Sequence, residues 1–249
     1  GLMPLFAGER PDTLELPPAT DPLHQRTALL FPVYHEDTAR IAGTIEAMAL
    51  DLASIGRAEH FDVFILSDSR SADAGQREEE TFAALAEQLQ PVMPVYYRRR
   101  IQNTAKKAGN IADWIQRFGG AYDSFVVLDA DSVMSGQTLV RLALGMQSRP
   151  RAGLIQTVPR LVGGSTIFQR LQQFAAGVYG PAVAAGLAAW HGPQGNYWGH
   201  NAIIRTIAFA GAAGLPELPG RPPFGGHVQS HDFVEAALLQ RAGWEVHMA

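Results

Sequence analysis

The chain has no cysteine among its 249 residues, so disulfide bonds and thiolate metal sites are excluded. It also has no long run of lysine or arginine, and its formal net charge is -4. Nucleic-acid-binding domains usually carry a basic patch or stripe, so we expect no nucleic acid among the partners. Hydrophobic residues make up 47% of the chain and charged residues 18%, which is typical of a globular protein.

Long uninterrupted apolar runs are missing as well. The nearest candidate is the segment 171–204, which contains no Asp, Glu, Lys or Arg. Its apolar residues are largely alanine and glycine, and Pro181 and Pro193 interrupt it. A membrane-spanning helix needs about 20 strongly apolar residues in succession. The pattern therefore favours a buried helix, or one that lies along a membrane surface, over a membrane span.

What the chain does contain is an alternation of short apolar runs with helical patterns. After the first run, large apolar residues recur at spacings of four and three, which is one face of a helix. Strands that alternate with helices predict an α/β fold with a mostly parallel sheet covered on both faces. The predicted strands are 27–34, 61–66, 92–97 (an edge strand, because of its prolines), 124–128 and 153–158, and the predicted helices are 41–55, 76–89, 110–118 and 138–146.

Acidic side chains gather where three of the predicted strands end. Glu36 and Asp37 follow the first strand, Asp68 follows the second, and Asp129 and Asp131 follow the fourth. Because parallel sheets bind ligands beyond the carboxyl ends of their strands, we expect these side chains at one edge of the sheet. Asp37 or Asp68 alone could equally be a helix cap. Acidic side chains at three strand ends together indicate a ligand-binding site at this edge.

Asp129 and Asp131 are the sharpest of these signals. Residues two apart in an extended chain point to the same side, so both carboxylates face one space and repel each other unless a cation lies there. Mg²⁺ or Mn²⁺ accepts one or two carboxylates and takes its other ligands from phosphates and water. A turn with two solvated aspartates is the alternative, but the apolar strand that precedes the pair favours a metal site.

Two further segments carry weaker signals. Lys107 and Gly109 lie between the third strand and a helix, where a lysine can neutralise phosphate and a glycine lets the backbone approach a ligand closely. Asp232 opens a late helix, where an aspartate is ordinarily a cap. It would be a general base only if the fold brought it opposite the metal, and the residues alone leave that open.

Several short motifs follow one another in a fixed order along nearly the whole chain, from about residue 28 to the end. They are Pro32-Val33-Tyr34-His35-Glu36, Ser67-Asp68-Ser69, Lys107-Ala108-Gly109-Asn110, Asp129-Ala130-Asp131, Gln156-Thr157-Val158-Pro159, Gly199-His200-Asn201 and His231-Asp232. Each motif is weak alone, but the ordered set resembles the catalytic domain of family-2 glycosyltransferases with the GT-A fold. That group contains bacterial cellulose synthase, and the set is most similar to its enzymes of osmoregulated periplasmic glucan synthesis.

The resemblance implies how a nucleotide-sugar donor would be held. Tyr34 and Glu36 would hold the uridine, with Asp68 on the base. Lys107 would face the diphosphate. These residues come from the ends of the first two strands and from the loop before a helix, so the implied nucleotide site lies at the same edge as the acidic side chains.

The resemblance also implies where metal, acceptor and base would lie. Asp129 would contact the nucleotide and the metal shell, and Asp131 would ligate Mg²⁺ or Mn²⁺. Gln156 would lie near the donor sugar and the acceptor. Asp232 would be the catalytic base, and the implied reaction is inverting transfer of glucose from UDP-glucose to a growing β-glucan.

The implied setting is the cytoplasmic face of a bacterial inner membrane. The partners would be UDP-glucose, a glucan acceptor and a membrane-embedded remainder of the same chain, with this part itself soluble. The helix that begins around residues 168–174 would lie at the membrane interface. Residues 1–26 would be a linker or terminal edge, and residues 27–249 a GT-A catalytic domain that is truncated at its C-terminus.

Two departures from the family pattern accompany the resemblance. The family's Thr-Glu-Asp triplet reads Ser230-His231-Asp232 here, which keeps the aspartate and replaces its acidic neighbour. The family's Gln-x-x-Arg-Trp signature is not found after Asp232, because Gln240-Arg241-Ala242-Gly243-Trp244 contains its letters but has the arginine at 241 instead of directly before the tryptophan. We expect a helix that ends at Gly243 and a strand that starts at Trp244, with the signature beyond Ala249.

Two other functions remain as alternatives. A sugar nucleotidyltransferase also uses a metal and an α/β sheet, but it would need a glycine-rich basic loop after the first strand, where this chain is acidic. A regulatory module that binds a nucleotide sugar would need no base. The presence of Asp232 argues against a purely sensory role, but it leaves a second function open.

Overall fold

The structure, a computed structural model, describes residues 14–217, 219–221, 225–226, 228 and 231–249. Its centre is a sheet of seven strands. These are β1 (Thr27–Val33), β2 (Phe61–Ser67), β3 (Val95–Arg99), β4 (Ser124–Val127), β5 (Ala152–Gln156), β6 (Ala202–Arg205) and β7 (Glu245–Met248). Their order across the sheet is β3-β2-β1-β4-β6-β5-β7, which places β3 at an edge, as predicted.

The sheet is mostly parallel. Strands β1 to β4 run parallel to one another, and β5 runs parallel to β7. Only β6 is reversed among the strands described, because it pairs antiparallel with both β4 and β5. The predicted α/β fold class is therefore confirmed. The sequence pattern misses β6, since three of its four residues lie at the end of the charge-free segment 171–204 and merge with that apolar composition.

Helices cover both faces of the sheet. They are α1 (Thr38–Ser54), α2 (Ala72–Leu89), α3 (Lys106–Phe118), α4 (Gly136–Ser148), α5 (Ile167–His191), α6 (Thr206–Ala212) and α7 (His231–Arg241). One core packs α1, α2 and α4 against the sheet, through residues such as Phe82 and Leu139. A second core on the opposite face packs α3, α6 and α7, and Trp114 is completely buried in it.

The parallel strands β1, β2 and β4 all end at the same edge, where the next helices begin. Asp37 is the N-cap of α1, because its Oδ1 accepts from the backbone N–H of Ala39 and Arg40 at 3.0 and 3.2 Å. Ser71 caps α2 in the same way, accepting from the Ala74 N–H at 3.1 Å. Asp37 is thus used by the helix, and the remaining acidic side chains at this edge are left for other contacts.

Helix α5 differs from the others because it is not buried. Of its 25 residues, only Ala188 is classed as buried, whereas the Phe168 and Trp190 side chains are 67% and 88% exposed. Of the two expected positions, the buried one is wrong, because α5 exposes its large apolar side chains instead of packing them into either core. The position along a membrane surface stays a prediction. No helix in the described part of the chain is long and apolar enough to span a membrane.

The ends of the described chain contact the domain. Leu23 is buried in the first core, and Leu14 and Leu16 pack against it, although 1–26 was predicted as a linker or edge. At the other end, α7 ends at Arg241 and Gly243 has φ +89, after which β7 starts at Glu245. The predicted order of helix, glycine and strand is therefore confirmed.

Candidate active site

A cavity of about 890 Å³ lies beyond the ends of β1, β2 and β4. Six of the predicted site residues line it, namely Tyr34, Glu36, Asp68, Lys107, Asp129 and Asp131. Gln156 and Asp232 are not among its lining residues. The fold thus brings the predicted donor-binding set together in one cavity and leaves the other two residues behind or beside it.

The end of β1 forms one wall of the cavity. Tyr34 is 51% exposed, and its ring meets the His35 ring edge-on at 4.6 Å. The Tyr34 N–H donates to the Glu36 carboxylate, which folds that side chain back over the loop. His35 adopts φ +65 and its N–H donates to the Ser69 Oγ at 2.9 Å. The wall is therefore tied to the end of β2.

A buried carboxylate on α2 fixes the end of β2. Glu78 is 2% exposed and accepts from the Ser67 and Ser69 hydroxyls at 2.5 Å each and from the Tyr97 hydroxyl at 2.9 Å. Burial, followed by the contact with Glu78, raises the pKa of Tyr97, so this hydroxyl stays a donor. Because Ser69 also holds His35, Glu78 supports both strand ends at once.

Asp68 is held by an arginine that the sequence did not single out. Arg100 donates from Nε and Nη2 to the two carboxylate oxygens at 2.8 and 2.7 Å, and Asp68 is 7% exposed. Such a two-pronged pair fixes the carboxylate plane as well as its position. The same Arg100 donates to the Thr104 and Lys106 carbonyls at 3.3 and 2.9 Å, so it also shapes the loop before α3.

That loop explains the glycine of the predicted basic motif. Ala105 and Lys106 both have positive φ, at +54 and +49, which turns the chain sharply into α3. A Cβ at Gly109 would lie 2.0 Å from the Thr104 carbonyl oxygen. The sequence reasoning assigned this glycine to close approach of a ligand, but the structure assigns it to close approach of the loop backbone.

Asp129 and Asp131 lie at the rim of the cavity, directly after β4. The Asp129 side chain is 38% exposed, and Asp131 is exposed. Lys107 Nζ donates to Asp129 Oδ1 at 2.5 Å and to the Gly199 carbonyl at 2.9 Å. His200 Nε2 lies 3.9 Å from Asp129 Oδ2. A cationic side chain therefore already accompanies the predicted metal pair.

The donor set at this rim fits Mg²⁺ or Mn²⁺. These ions are commonly held by one or two carboxylates and complete their shell with waters and substrate phosphates, so they need no closed protein cage. Asp129 and Asp131 border an open cavity that has room for these waters and phosphates. Among the described residues, no group of three or more His, Cys, Asp or Glu forms a metal site by itself.

Asp232 reaches the site through Gly199. Gly199 has φ +84, and a Cβ there would lie 3.0 Å from Asp232 Oδ2. The carbonyl of the same Gly199 accepts from Lys107, which binds Asp129. The predicted base and the predicted metal pair are thus linked through one glycine, which the sequence reasoning included in a motif but gave no role. Ser230, the first residue of the predicted triplet, lies outside the described residues.

Gln156 is placed behind this turn and is completely buried. Its Nε2 donates to the carbonyls of Thr157, His200 and Asn201 at 2.8, 3.0 and 3.3 Å, and its Oε1 accepts from the Trp198 N–H at 2.9 Å. Every polar atom of the amide is therefore engaged by backbone. The structure gives Gln156 the task of holding the segment 198–201, and contact with a sugar stays a prediction.

Sequence reasoning missed Glu78, Arg100 and the role of Gly199. Arg100 ends a run of three arginines beside the edge strand, and that run was a usable signal. Glu78 sits in an acidic stretch of a helix predicted to be a charged surface helix, where nothing distinguishes it from Glu79. For Gly199, only the folded backbone shows the positive φ and the carboxylate beside it.

Comparison with solved structures identifies the fold. The chain superposes on the mannosyltransferase PcManGT from Pyrobaculum calidifontis in complex with GDP-Man and Mn²⁺ with a TM-score of 0.65 and 14% identity, over 95% of this chain and 57% of that one. It superposes on S. aureus TarS 1-349 with a TM-score of 0.56 and 11% identity, over 90% and 58%. The fold is that of the GT-A glycosyltransferases.

Sequence comparison finds relatives of much higher identity than these solved structures. The chain is 59% identical to glucans biosynthesis glucosyltransferase H of Xylella fastidiosa over 226 residues, which cover 91% of this chain and 35% of that protein. For the Vibrio cholerae protein of the same name the identity is 55% over 233 residues, with coverages of 94% and 32%. No protein-family model matches. The chain is a homologue of glucans biosynthesis glucosyltransferase H and spans about a third of the length of these relatives.

Proposed function

We propose that this chain is the donor-binding and catalytic part of a glucosyltransferase that transfers glucose from UDP-glucose to a growing β-glucan, with inversion at the anomeric carbon. The product would be the backbone of osmoregulated periplasmic glucan. The observation that carries the proposal is that Lys107 bonds both Asp129 and the Gly199 carbonyl, while the Asp232 carboxylate lies beside the same Gly199. The rim that carries the predicted metal pair therefore lies close to a candidate base. The homology supports the choice of glucose and glucan.

In this proposal the cavity holds the nucleotide. Asp68, locked by Arg100, presents a fixed acceptor edge to the uracil base. Tyr34 offers an exposed aromatic ring at the cavity wall for stacking. The diphosphate lies over Asp129 and Asp131, with Lys107 able to exchange its contact with Asp129 for one with phosphate.

At the anomeric carbon the transfer forms one bond and breaks one. The acceptor hydroxyl oxygen bonds to the anomeric carbon while the bond from that carbon to the diphosphate oxygen breaks, and Asp232 takes the hydroxyl proton. UDP leaves with the bonding electron pair and gains negative charge, which Lys107 offsets. A bound Mg²⁺ or Mn²⁺ would add positive charge against the same leaving group.

The whole protein would act at the cytoplasmic face of a bacterial inner membrane, with a membrane-embedded remainder of the chain that receives the glucan. The exposed apolar side chains of α5 are consistent with a position near the membrane surface. The relatives are about three times as long as this chain, which leaves room for such a remainder.

The test is the Asp232→Asn variant of the full-length protein, assayed for glucan synthesis from radiolabelled UDP-glucose. Loss of a general base typically costs about 10²- to 10⁴-fold in rate. We expect a loss in this range with UDP affinity, measured by titration calorimetry, within about twofold of wild type.

The matched control is Asp73→Asn, at an exposed position in the first turn of α2. It should leave synthesis unchanged. Full synthesis by the Asp232→Asn variant would refute the role of the base. Production of a nucleotide sugar from a sugar phosphate, instead of glucan, would favour the nucleotidyltransferase alternative.

A further inference from the structure

A small group of ionisable side chains lies beside the predicted base, outside the cavity that holds the donor set. His231 Nδ1 is 3.2 Å from Glu235 Oε1 and 3.6 Å from Asp232 Oδ1. The side chains of His231 and Glu235 are only 12% and 3% exposed. The proposed reaction gives neither of them a task, although both are within one helical turn of Asp232.

Helix stability does not explain this pair. A positive charge in the first turn of a helix opposes the helix dipole, and His231 is the first residue of α7. A cation that precedes an anion by four residues is also the less favourable order for a helical ion pair. A buried carboxylate is costly as well, since apolar residues at such a place are often as stable or more stable. The pair therefore needs another reason.

The charges around the pair favour a proton on the imidazole ring. Burial works against the charged ring, but the contact with Glu235 and the charges of Glu235 and Asp232 outweigh it, so the pKa of His231 is raised above its ordinary value. Burial raises the pKa of Glu235, and His231 offsets part of that effect. Lys107, from α3, is the cation that faces both groups and opposes the proton on His231.

The Asp232 carboxylate is placed between two neighbours. Its Oδ1 lies 3.6 Å from His231 Nδ1, and its Oδ2 lies 3.0 Å from the point that a Cβ on Gly199 would occupy. The ring of Tyr197 is completely buried close by, and after burial the charges of Glu235, Asp232 and Asp129 raise the pKa of its hydroxyl. The carboxylate is thus bordered by the His231 ring on one side and by the Gly199 turn on the other.

We propose that His231, held in place by Glu235, is a positioning residue for Asp232, and that its protonated ring fixes the carboxylate in the orientation that faces the Gly199 turn. The inference rests on the proposed function, because only there does Asp232 act as a base. His231 contacts neither donor nor acceptor in this account. It acts through Asp232, and Glu235 acts through His231.

This arrangement has a consequence for pH dependence. When His231 loses its proton, the attraction that holds Asp232 Oδ1 disappears, so the rate of transfer falls on the alkaline side. The His231 ring is stabilised in its charged form by Glu235, and replacing Glu235 with glutamine should move this fall to lower pH. A nearby opposite charge typically changes a pKa by about 1 to 3 units. The alkaline limb of the pH–rate profile, where the rate falls, should therefore move by about one pH unit or more.

The experiment compares His231→Gln, Glu235→Gln and the control His24→Gln in the full-length protein. His24 is an exposed histidine in the segment before β1. Glucan synthesis from UDP-glucose is measured between about pH 5 and 9, the range in which histidines titrate. Titration calorimetry with UDP reports whether the donor cavity is intact, and NMR of isotope-labelled histidine follows the His231 ring in wild type and in Glu235→Gln.

We expect His231→Gln to lower kcat by about 10- to 100-fold, the range for a slightly misplaced catalytic group, with UDP affinity and KM for UDP-glucose within about twofold of wild type. Its alkaline limb should disappear. In Glu235→Gln the alkaline limb and the NMR titration of His231 should both move to lower pH, and His24→Gln should match wild type.

Three results would overturn the inference. The first is a His231→Gln variant with wild-type kcat and pH profile. The second is equal loss of kcat and UDP affinity, which indicates a merely structural role. The third is an unchanged His231 titration in Glu235→Gln. A wild-type protein that binds UDP but makes no glucan would instead refute the proposed function, and the role of His231 with it.

Discussion

The two sides of the candidate site are built differently. On the donor side, the buried carboxylate of Glu78 and the bidentate guanidinium of Arg100 hold the end of β2. These two side chains therefore fix the walls of the cavity. On the side of the base, Asp232 is bordered by the His231 ring and by Gly199. The first side is fixed by several buried hydrogen bonds and a bidentate ion pair, whereas the second depends on the His231 ring and one glycine turn.

The difference indicates which half of the reaction this chain can support by itself. Preorganised polar groups bind a ligand without the cost of ordering them on arrival. We therefore expect nucleotide binding to depend on residues of the donor side alone. Transfer to an acceptor also needs Asp232 in its place, so changes on the side of the base should alter turnover while leaving nucleotide affinity nearly unchanged.

The largest effect on the donor side is expected for Asp131→Ala. Loss of one of the two rim carboxylates removes a predicted metal ligand, and even outer-shell changes at metal sites typically cost about 10- to 100-fold in affinity. We expect at least about a 100-fold loss of Mn²⁺-dependent UDP binding by titration calorimetry. Affinity without metal should change little. Equal binding by wild type and variant in Mn²⁺ would contradict the metal assignment, and Asp73→Ala is the control.

The largest effect on the side of the base, apart from removing Asp232 itself, is expected for Gly199→Ala. A Cβ at this position would meet the Asp232 carboxylate, and the backbone at φ +84 disfavours alanine. A misplacement of about 1 Å can cost about 100-fold in rate. Glucan synthesis should fall by this order while UDP affinity stays within about threefold. The control is Gly211→Ala, where the added methyl group meets open space. A comparable loss of synthesis in this control would contradict a specific role for Gly199.

A smaller effect is expected for Glu78→Gln. Glutamine keeps the shape but replaces one carboxylate oxygen with an NH₂ group, which faces hydroxyls that donate to Glu78. The strand ends should loosen, and UDP affinity should fall by about fivefold to tenfold, or about 1 to 1.4 kcal/mol. Calorimetry on Glu78→Gln and on the exposed neighbour Glu79→Gln measures this. A loss in kcat without a loss in UDP affinity would contradict the assignment of Glu78 to the donor side.

Much of the donor side could be predicted from the sequence, because short-range patterns carry it. An apolar run followed by Asp129 and Asp131 specifies both a buried strand and what stands at its end. The predicted resemblance and fold class are confirmed by the relatives and by the GT-A neighbours. The site assignments themselves stay predictions, although six of the eight residues line one cavity.

What could not be predicted depends on contacts across the fold. Glu78 lies among four consecutive charged residues of α2, and only packing against β2 decides which of them is buried. Gln156 carries a polar amide that looks available for a sugar, yet the backbone of Thr157 and of segment 198–201 engages both of its polar atoms. Sequence separation of more than 40 residues hides such partners from any local pattern.

The reversed strand β6 has a consequence for how such chains are searched for functional residues. In a wholly parallel sheet, ligand-facing segments follow their strands. Because β6 runs against β4, with Ala202 opposite Val127, it is the segment before β6 that reaches the ligand edge. The Gly199-His200-Asn201 motif stands there, and the Asn201 N–H donates to the Val127 carbonyl at 2.7 Å. A motif search in folds of this kind should therefore scan upstream wherever a strand changes direction.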